Sequence, residues 1–448
     1  MKILIAGAGN VGVHVAKLLS HENIDITLMD EDPEKLEPLA YTYDIFTMSG
    51  SAVSMHDLKE AGVENVNLFI AVTPNDSVNL TACIMAHALG AKKTLARVDN
   101  YEYILPENKQ FFQKIGIDHI IYPEVLAAKE ISEALHTSWI RNHLQFCDGA
   151  LDLLAIKVRA NAEIINRKFS TGYFNHGRYR VVAIKRHAHT IIPGGNDEIK
   201  AGDLVYCITT SEHMDFLRQQ AGKVNYDIKE LTMMGASKIA QKTIQNLQRS
   251  NKLHIKLMDS DEERMMQIAD KLDDKNVLFL DMDIRNTDAV HEEGIDHTDA
   301  FVAVSDNSEA NILACLLAKR NGVHKTIAEV ENNDYIPLAE SLDIGAIVNK
   351  KMIAASYIYQ LTLDANVLNV RNLTSANAEV VEFVAVQDCK ITRSKIRDIH
   401  FPPDVNIGGL VRDGVGYTVN GNTQIIPNDH VIVFCVASAI RKIEKYFN

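Results

Sequence analysis

At 448 residues, the chain is too long for one ordinary core and fits two to four domains. Its 46% apolar and 23% charged residues, with few aromatics, are those of a soluble globular protein. A net charge of −13 argues against broad nucleic-acid binding, which needs basic patches.

The chain opens on a short apolar strand, residues 3–6, that runs into Gly7-Ala8-Gly9-Asn10-Val11-Gly12. A helix is expected over 11–20, a strand over 25–29 and a helix over 33–41. A strand over 44–47, a helix over 54–61, a strand over 67–72, a helix over 77–89 and a strand over 93–98 follow. That alternation predicts a parallel, doubly wound sheet of the α/β class. Residues 119–122 read as a further strand, and Pro123–Leu144 as one long helix, matched near Lys350–Leu361. Residues 150–222 hold β-rich pieces (LLAIKV, YRVVAIKR, LVYCIT) separated by turns at Gly194-Gly195 and Ala201-Gly202-Asp203, then a helix around Ser211–Gln219. Residues 378–448 repeat this with VVEFVAV, NIGGLVR, a Pro427-Asn428-Asp429 turn and VIVFCV.

The halves of the chain match along their length. The stretch LFIAVTPNDSVNLTACIMAHALGAKKTLARVDN (68–100) is echoed by AFVAVSDNSEANILACLLAKRNGVHKTIAEVEN (300–332), and Leu28-Met29-Asp30 by Leu257-Met258-Asp259. The chain is a tandem duplication. The expected division is a Rossmann-type module over 1–142, a small α+β module over 143–223, a second Rossmann-type module over 228–365 and a second small module over 370–448.

The opening motif has a physical reading. Gly7 makes a tight turn, Gly9 removes bulk where a diphosphate would approach, and Gly12 lets helix and strand pack closely. Ala8, Asn10 and Val11 supply the remaining backbone of that loop. Asp30 ends the second strand, where a carboxylate accepts hydrogen bonds from a ribose 2′-hydroxyl and repels a 2′-phosphate. NAD(H) or an adenine nucleotide is therefore favoured over NADP(H). Thr73 and Pro74 follow the fourth strand at the ligand crevice. Asp76 and Asn79 read equally as helix caps or site residues. Ser51 reads as crevice edge or turn chemistry, and Arg97 as a phosphate partner or an ion pair.

The second copy is eroded. Gly235 and Asp259 remain, Ala236 and Ile239 keep the loop's length, Ser237 stands where Gly9 has no side chain, and Ala240 replaces Gly12. Lys238 replaces Asn10 and adds a cation for a phosphate. The copy is either a second sensor or a fold-keeping scaffold.

No catalytic constellation is expected. Histidines His187 and His189 lie in a hairpin-like stretch, and His136 and His143 are spaced as on one helical face. Cys83, Cys147, Cys207, Cys315, Cys389 and Cys435 form no CxxC pair, so reduced thiols and no metal site are expected. Apolar runs such as 431–437 fall short of the ~20 residues of a spanning helix, and the glycines that interrupt MKILIAGAG argue against a signal peptide.

GAGNVG, Asp30, VTPNDSVNL and ARV, duplicated and alternating with small β-rich modules, resemble the TrkA family of bacterial potassium-uptake regulators, built from regulator-of-potassium-conductance (RCK) domains. The resemblance covers essentially the whole chain. It implies NAD(H) or ATP/ADP as regulatory ligand, held by Gly7–Val11, Asp30, Thr73, Pro74 and Arg97, with Gly235–Ile239 and Asp259 as the second set. It also implies no enzyme activity, a homo-oligomeric ring taken as a tetramer, and a TrkH- or TrkG-like potassium-translocating membrane subunit as partner. The chain would then be cytoplasmic, peripheral on the inner face of the cell membrane. The alternatives are an NAD-dependent oxidoreductase and a regulator of another ion antiporter.

Overall fold

A computed structural model describes the chain apart from residues 21–23, 188, 248–252, 273–275, 283–292, 364–365 and 377. The expected end of the second Rossmann-type module, at 365, lies outside the described residues. By internal packing the chain divides into two compact units, Met1–Leu126 with Lys350–Leu363, and Ala127–Asn349 with Asp364–Asn448.

The first unit holds β1 (Lys2–Ala6), β2 (Asp25–Asp30), β3 (Phe46–Ser49), β4 (Leu68–Ala71), β5 (Thr94–Arg97) and β6 (His119–Ile121). They form a parallel sheet in the order β3-β2-β1-β4-β5-β6, the doubly wound order whose switch point lies between β1 and β4. Ile3, Leu4, Ile5 and all of β4 are buried, as central strands covered on both faces must be. The helix Lys350–Gln360, from the second half of the sequence, packs on the helix Asn10–Ser20. Burial there, with Lys17 and Lys351 nearby, pushes the His14 imidazole down to about 4.

One buried side chain ties the switch-point strands together. Asn79 donates to the carbonyls of Thr73 and Arg97, both at 2.9 Å, and its Oδ1 accepts from Thr73 N at 2.9 Å and Thr73 Oγ1 at 2.7 Å. It is a strand tie, whereas Asn75 is the helix cap, accepting from Val78 N at 3.1 Å. Asn79→Ala is expected to destabilise the first unit by about 3 kcal/mol, since it strands buried partners. Urea unfolding followed by a first-unit signal checks this, and a change under 1 kcal/mol would refute the tie.

The second unit opens with the small module β7 (Asn142–Phe146), β8 (Leu151–Lys157), β9 (Tyr179–Arg186), β10 (His189–Ile191) and β11 (Leu204–Thr209). Its antiparallel order is β10-β9-β11-β8-β7. The long helix expected to Leu144 stops at His136, and Asn142–Phe146 is an edge strand paired with β8. His136 and His143 therefore share no helical face. His143 is instead buried in β7, its Nε2 2.7 Å from Asp152 Oδ1.

Next come β12 (Glu230–Met234), β13 (His254–Asp259), β14 (Val277–Asp281), β15 (Ala300–Ala303), β16 (Lys325–Glu329) and β17 (Ala346–Val348). Their parallel order β14-β13-β12-β15-β16-β17 repeats the first sheet. The last module is β18 (Val367–Leu373), β19 (Ala378–Val384), β20 (Val405–Arg412), β21 (Val415–Thr418) and β22 (His430–Cys435), in the order β18-β19-β22-β20-β21. It mirrors the first small module strand for strand.

The two small modules share one core, in which Leu153, Tyr206, Ile208, Val380, Ile432 and Phe434 are buried together. Gly408 permits the close approach, because a Cβ there would lie 2.1 Å from Ile208 Cδ1. The repeated turns also find their purpose. Asp203 binds Arg186 through two bonds of 2.9 and 2.7 Å, and Asp429 binds Arg412 through bonds of 2.8 and 2.7 Å. Each turn thereby fixes a bidentate pair against the end of a central strand.

Candidate functional site

The first site grows from the end of β1. Gly7 turns the chain at φ +111°, and a Cβ on it would lie 3.0 Å from Thr73 N. Gly12 sits against the same loop, where a Cβ would come 1.9 Å from the Gly7 carbonyl oxygen. Gly9 is different, since nothing lies within 4 Å of its would-be Cβ. The loop is thus packed tightly at its two ends and left open at Gly9, on the side a phosphate would use. Asn10 and Val11 begin the helix Asn10–Ser20, with Asn10 exposed and Val11 buried.

Asp30 joins loop to sheet. Its Oδ2 accepts from Ala8 N at 2.6 Å and its Oδ1 from Asp32 N at 3.0 Å, with Lys35 Nζ at 3.5 Å. Burial pushes the carboxyl up, but the Asp32 and Ala8 amides and Lys35 outweigh it and hold Asp30 below its ordinary value. The group is ionised at neutral pH, with lone pairs left for a ribose hydroxyl.

A cleft of about 440 Å³ lies beside these groups, within the usual range for small-molecule sites. Gly7, Asp30, Thr73 and Pro74 line it, together with Lys35 and Asn75, two of several lining residues the sequence reading did not select as site residues. Lys35 lies in the first turn of the helix Pro33–Thr42, aimed back at Asp30, and that spacing was the available signal. Ala8, Gly9, Asn10, Val11, Gly12, Ser51 and Arg97 are not among the lining residues. Ser51 Oγ donates to Glu31 Oε1 at 2.6 Å, and its amide donates to Asp57 at 2.8 Å. Arg97 Nη2 pairs with Glu124 Oε1 at 3.3 Å.

The second module repeats the frame and alters the lining. Gly235 turns at φ +101°, Ala236 N donates to Asp259 Oδ2 at 2.6 Å, and Asn311 ties Ser305 to Glu329 as Asn79 ties Thr73 to Arg97. Ser237, however, caps its own helix, accepting from Ala240 N at 3.2 Å. That amide is one of those a phosphate would use. Lys238 opens the helix Lys238–Leu247, and Ile239 is buried beneath it. Arg264, in the position of Lys35, reaches Asp261 at 3.1 Å and Asp306 at 2.9 Å. Asp306 stands where the first module has Pro74, so an ion pair spans the mouth of the second crevice.

Comparison with known proteins agrees with this architecture. The family model for the TrkA-N domain matches residues 3–123 and 231–350, and that for the TrkA-C domain matches 153–222 and 380–448. The chain is similar to the Trk system potassium uptake protein TrkA of Haemophilus influenzae, at 29% identity over 100% of this chain and 98% of the relative. The protein of the same name from Vibrio alginolyticus is also 29% identical, over 97% and 96%. Among solved structures, the GsuK RCK domain superposes with a TM-score of 0.62 at 13% identity, over 100% of this chain and 94% of that one. The GsuK channel bound to NAD gives 0.59 at 14% identity, over 100% and 78%. With both domain types present twice in tandem, on the sheets just described, the chain belongs to the TrkA family.

Proposed function

We propose that this chain is the regulatory nucleotide-binding subunit of a potassium-uptake transporter, with NAD(H) or ATP/ADP held in the first cleft. The ionised Asp30, fixed against an open glycine loop, carries this reading. Gly7–Gly12, Asp30, Thr73 and Pro74 form the site. Ser51 and Arg97 support its rim and floor from outside the cleft. In the second module Gly235, Ala236, Ser237, Lys238, Ile239 and Asp259 keep the frame, and their groups serve the fold more than a ligand.

Polar side chains of the first cleft are committed to protein partners. Asp30 holds the loop, Glu31 accepts from Ser51, Asp32 caps the helix after it and Thr73 donates to Asn79. Such a site suits holding a ligand better than moving protons during turnover. Among the described residues no helix is long and apolar enough to cross a membrane. The curated relatives are named as Trk system potassium uptake proteins, which supports a TrkH- or TrkG-like membrane partner. The chain then acts from the cytoplasm as a homo-oligomeric ring. Each nucleotide biases the ring by its differential affinity for the ring's conformations.

Calorimetric titration with NADH, NAD, ATP and ADP tests the site. Asp30→Ala is expected to weaken binding by roughly 10- to 100-fold, the worth of a charge-assisted hydrogen bond plus the lost loop anchor. Asp259→Ala is expected to change it less than about twofold, a difference of a few tenths of a kcal/mol. Unchanged affinities for all four nucleotides in Asp30→Ala would refute the site, and steady NADH consumption would favour an oxidoreductase.

A further inference from the structure

We propose that Cys147, Glu382 and His430 form a binding site for one thiophilic divalent cation of the zinc type, shared between the two small modules. The three residues are far apart in sequence and meet only through the packing of those modules. Cys147 Sγ lies 3.2 Å from Glu382 Oε1, and His430 Nδ1 lies 2.8 Å from the same oxygen. All three donor atoms fall within 4.8 Å of one another. Tetrahedral zinc with bonds of about 2.0–2.3 Å needs donors about 3.3–3.7 Å apart. The two contacts to Glu382 are shorter than that, so the side chains must open slightly to form a coordination shell.

The backbone delivers the thiol deliberately. Cys147 and Asp148 both adopt left-handed conformations, at φ 50° and 54°, immediately after β7. Non-glycine residues rarely accept that region, and it persists where surrounding structure demands it. Glu382 is buried in β19, and His430 opens the neighbouring β22. The charges facing the thiol are Glu382 and Asp148, both negative. The His430 side chain is 38% exposed, which leaves an entry path and a fourth position for water.

The duplication provides an internal control. By strand register, the positions matching Cys147, Glu382 and His430 in the mirrored arrangement are Thr374, Ala155 and Leu204. Those residues line one cavity together, so the same convergence occurs there without donors suited to zinc. The donor set is thus a property of one face and not a by-product of the fold. A thiolate, an imidazole and a carboxylate select zinc-like ions over calcium or magnesium, which prefer all-oxygen shells. On binding, the Cys147 thiol proton leaves to solvent and its sulfur bonds the metal. His430 binds through Nδ1, with its ring proton on Nε2.

The test uses the full chain without an affinity tag, stripped with chelator and titrated with Co²⁺ and then Zn²⁺. One equivalent of Co²⁺ should produce a thiolate-to-cobalt charge-transfer band as the thiol proton is released, and one equivalent of Zn²⁺ should displace the band with no further proton release. Cys147→Ser should abolish the band, and His430→Gln should weaken Co²⁺ binding at least about 100-fold, beyond what outer-shell changes cost. His430 is partly exposed, so that variant remains informative if Cys147→Ser fails to fold. Absence of the band at stoichiometric Co²⁺, its persistence in Cys147→Ser, or unchanged affinity in His430→Gln would overturn the site.

Discussion

Asp343→Asn is expected to cost the second unit about 2 kcal/mol, between the loss for an exposed ion pair and that for a buried one, since the Asp343 side chain is 27% exposed. Three cations converge on this carboxylate. Arg159 Nη2 and Lys319 Nζ each lie 2.7 Å from Asp343 Oδ2, and Arg141 binds Oδ1 while also donating to the Gly345 carbonyl. Arg141 and Arg159 line a cavity of about 660 Å³ between the first small module and the second Rossmann-type sheet, where Lys157 and Lys185 add further positive charge. Without Asp343 these groups would face one another with Glu340 as the carboxylate left in the cavity lining. The backbone at Asp343 is left-handed, at φ 56°, a conformation asparagine tolerates. Asparagine therefore removes the charge without adding backbone strain, and Asp343→Ala should cost more.

The same residue gives the stability a pH dependence with a definite sign. Burial pushes the Asp343 carboxyl up, but Arg141 and the hydrogen bonds from Lys319 and Arg159 outweigh it and hold the group well below its ordinary value. A folded pKa below the unfolded one stabilises the native state at all pH above the ordinary value, near 4. That contribution fades as pH falls below about 4 toward the depressed folded value. The gap in denaturant midpoint between wild type and Asp343→Asn should therefore hold from pH 7 to about pH 5 and narrow as the pH falls from about 4 to 3. A constant gap across that range would show that the charge is not responsible.

The sequence displayed whatever was local and left hidden whatever depends on packing. The parallel sheets were readable because their central strands are continuous apolar runs bounded by glycines and helix caps, as in residues 3–12. The edge strands were not. Asn142–Phe146 is short and half polar, and followed a helical pattern closely enough to be read as its continuation. β10, β18 and β21 are likewise edge or near-edge pieces with exposed positions, too weakly patterned to stand out. Within the site, the glycine loop and Asp30 lie in one strand-turn-helix-strand unit and could be recognised by spacing alone. The roles of Asn79, Arg97 and Ser51 could not, since each depends on a partner brought in by the fold. Asp343 gave no signal because its cations come from Arg141, Arg159 and Lys319. The first module has Gly116 at that left-handed position, so the aspartate is there for its charge.

Gly12→Ala is expected to weaken nucleotide binding to the first module at least about tenfold and to destabilise the first unit by about 1–3 kcal/mol, the range for overpacking. The added methyl would sit 1.9 Å from the Gly7 carbonyl oxygen, far inside van der Waals contact. The oxygen would have to swing away, but Gly7 is itself pinned, with its would-be Cβ position 3.0 Å from Thr73 N and its amide donating to Met29 O at 2.8 Å. Strain would therefore pass along the loop to Ala8, whose amide holds Asp30. The second module shows a loop that lives with this methyl. Ala240 is present there, and the loop is drawn into a tight turn in which Ser237 N donates to the Gly235 carbonyl at 2.9 Å. Converting the first loop to that form would close the open side at Gly9. Calorimetry with NADH and ATP on Gly12→Ala, beside Ala240→Gly as a control that should keep wild-type affinity, decides the matter. Wild-type affinity in Gly12→Ala would mean that the loop yields to the methyl, and that the erosion of the second copy has another cause.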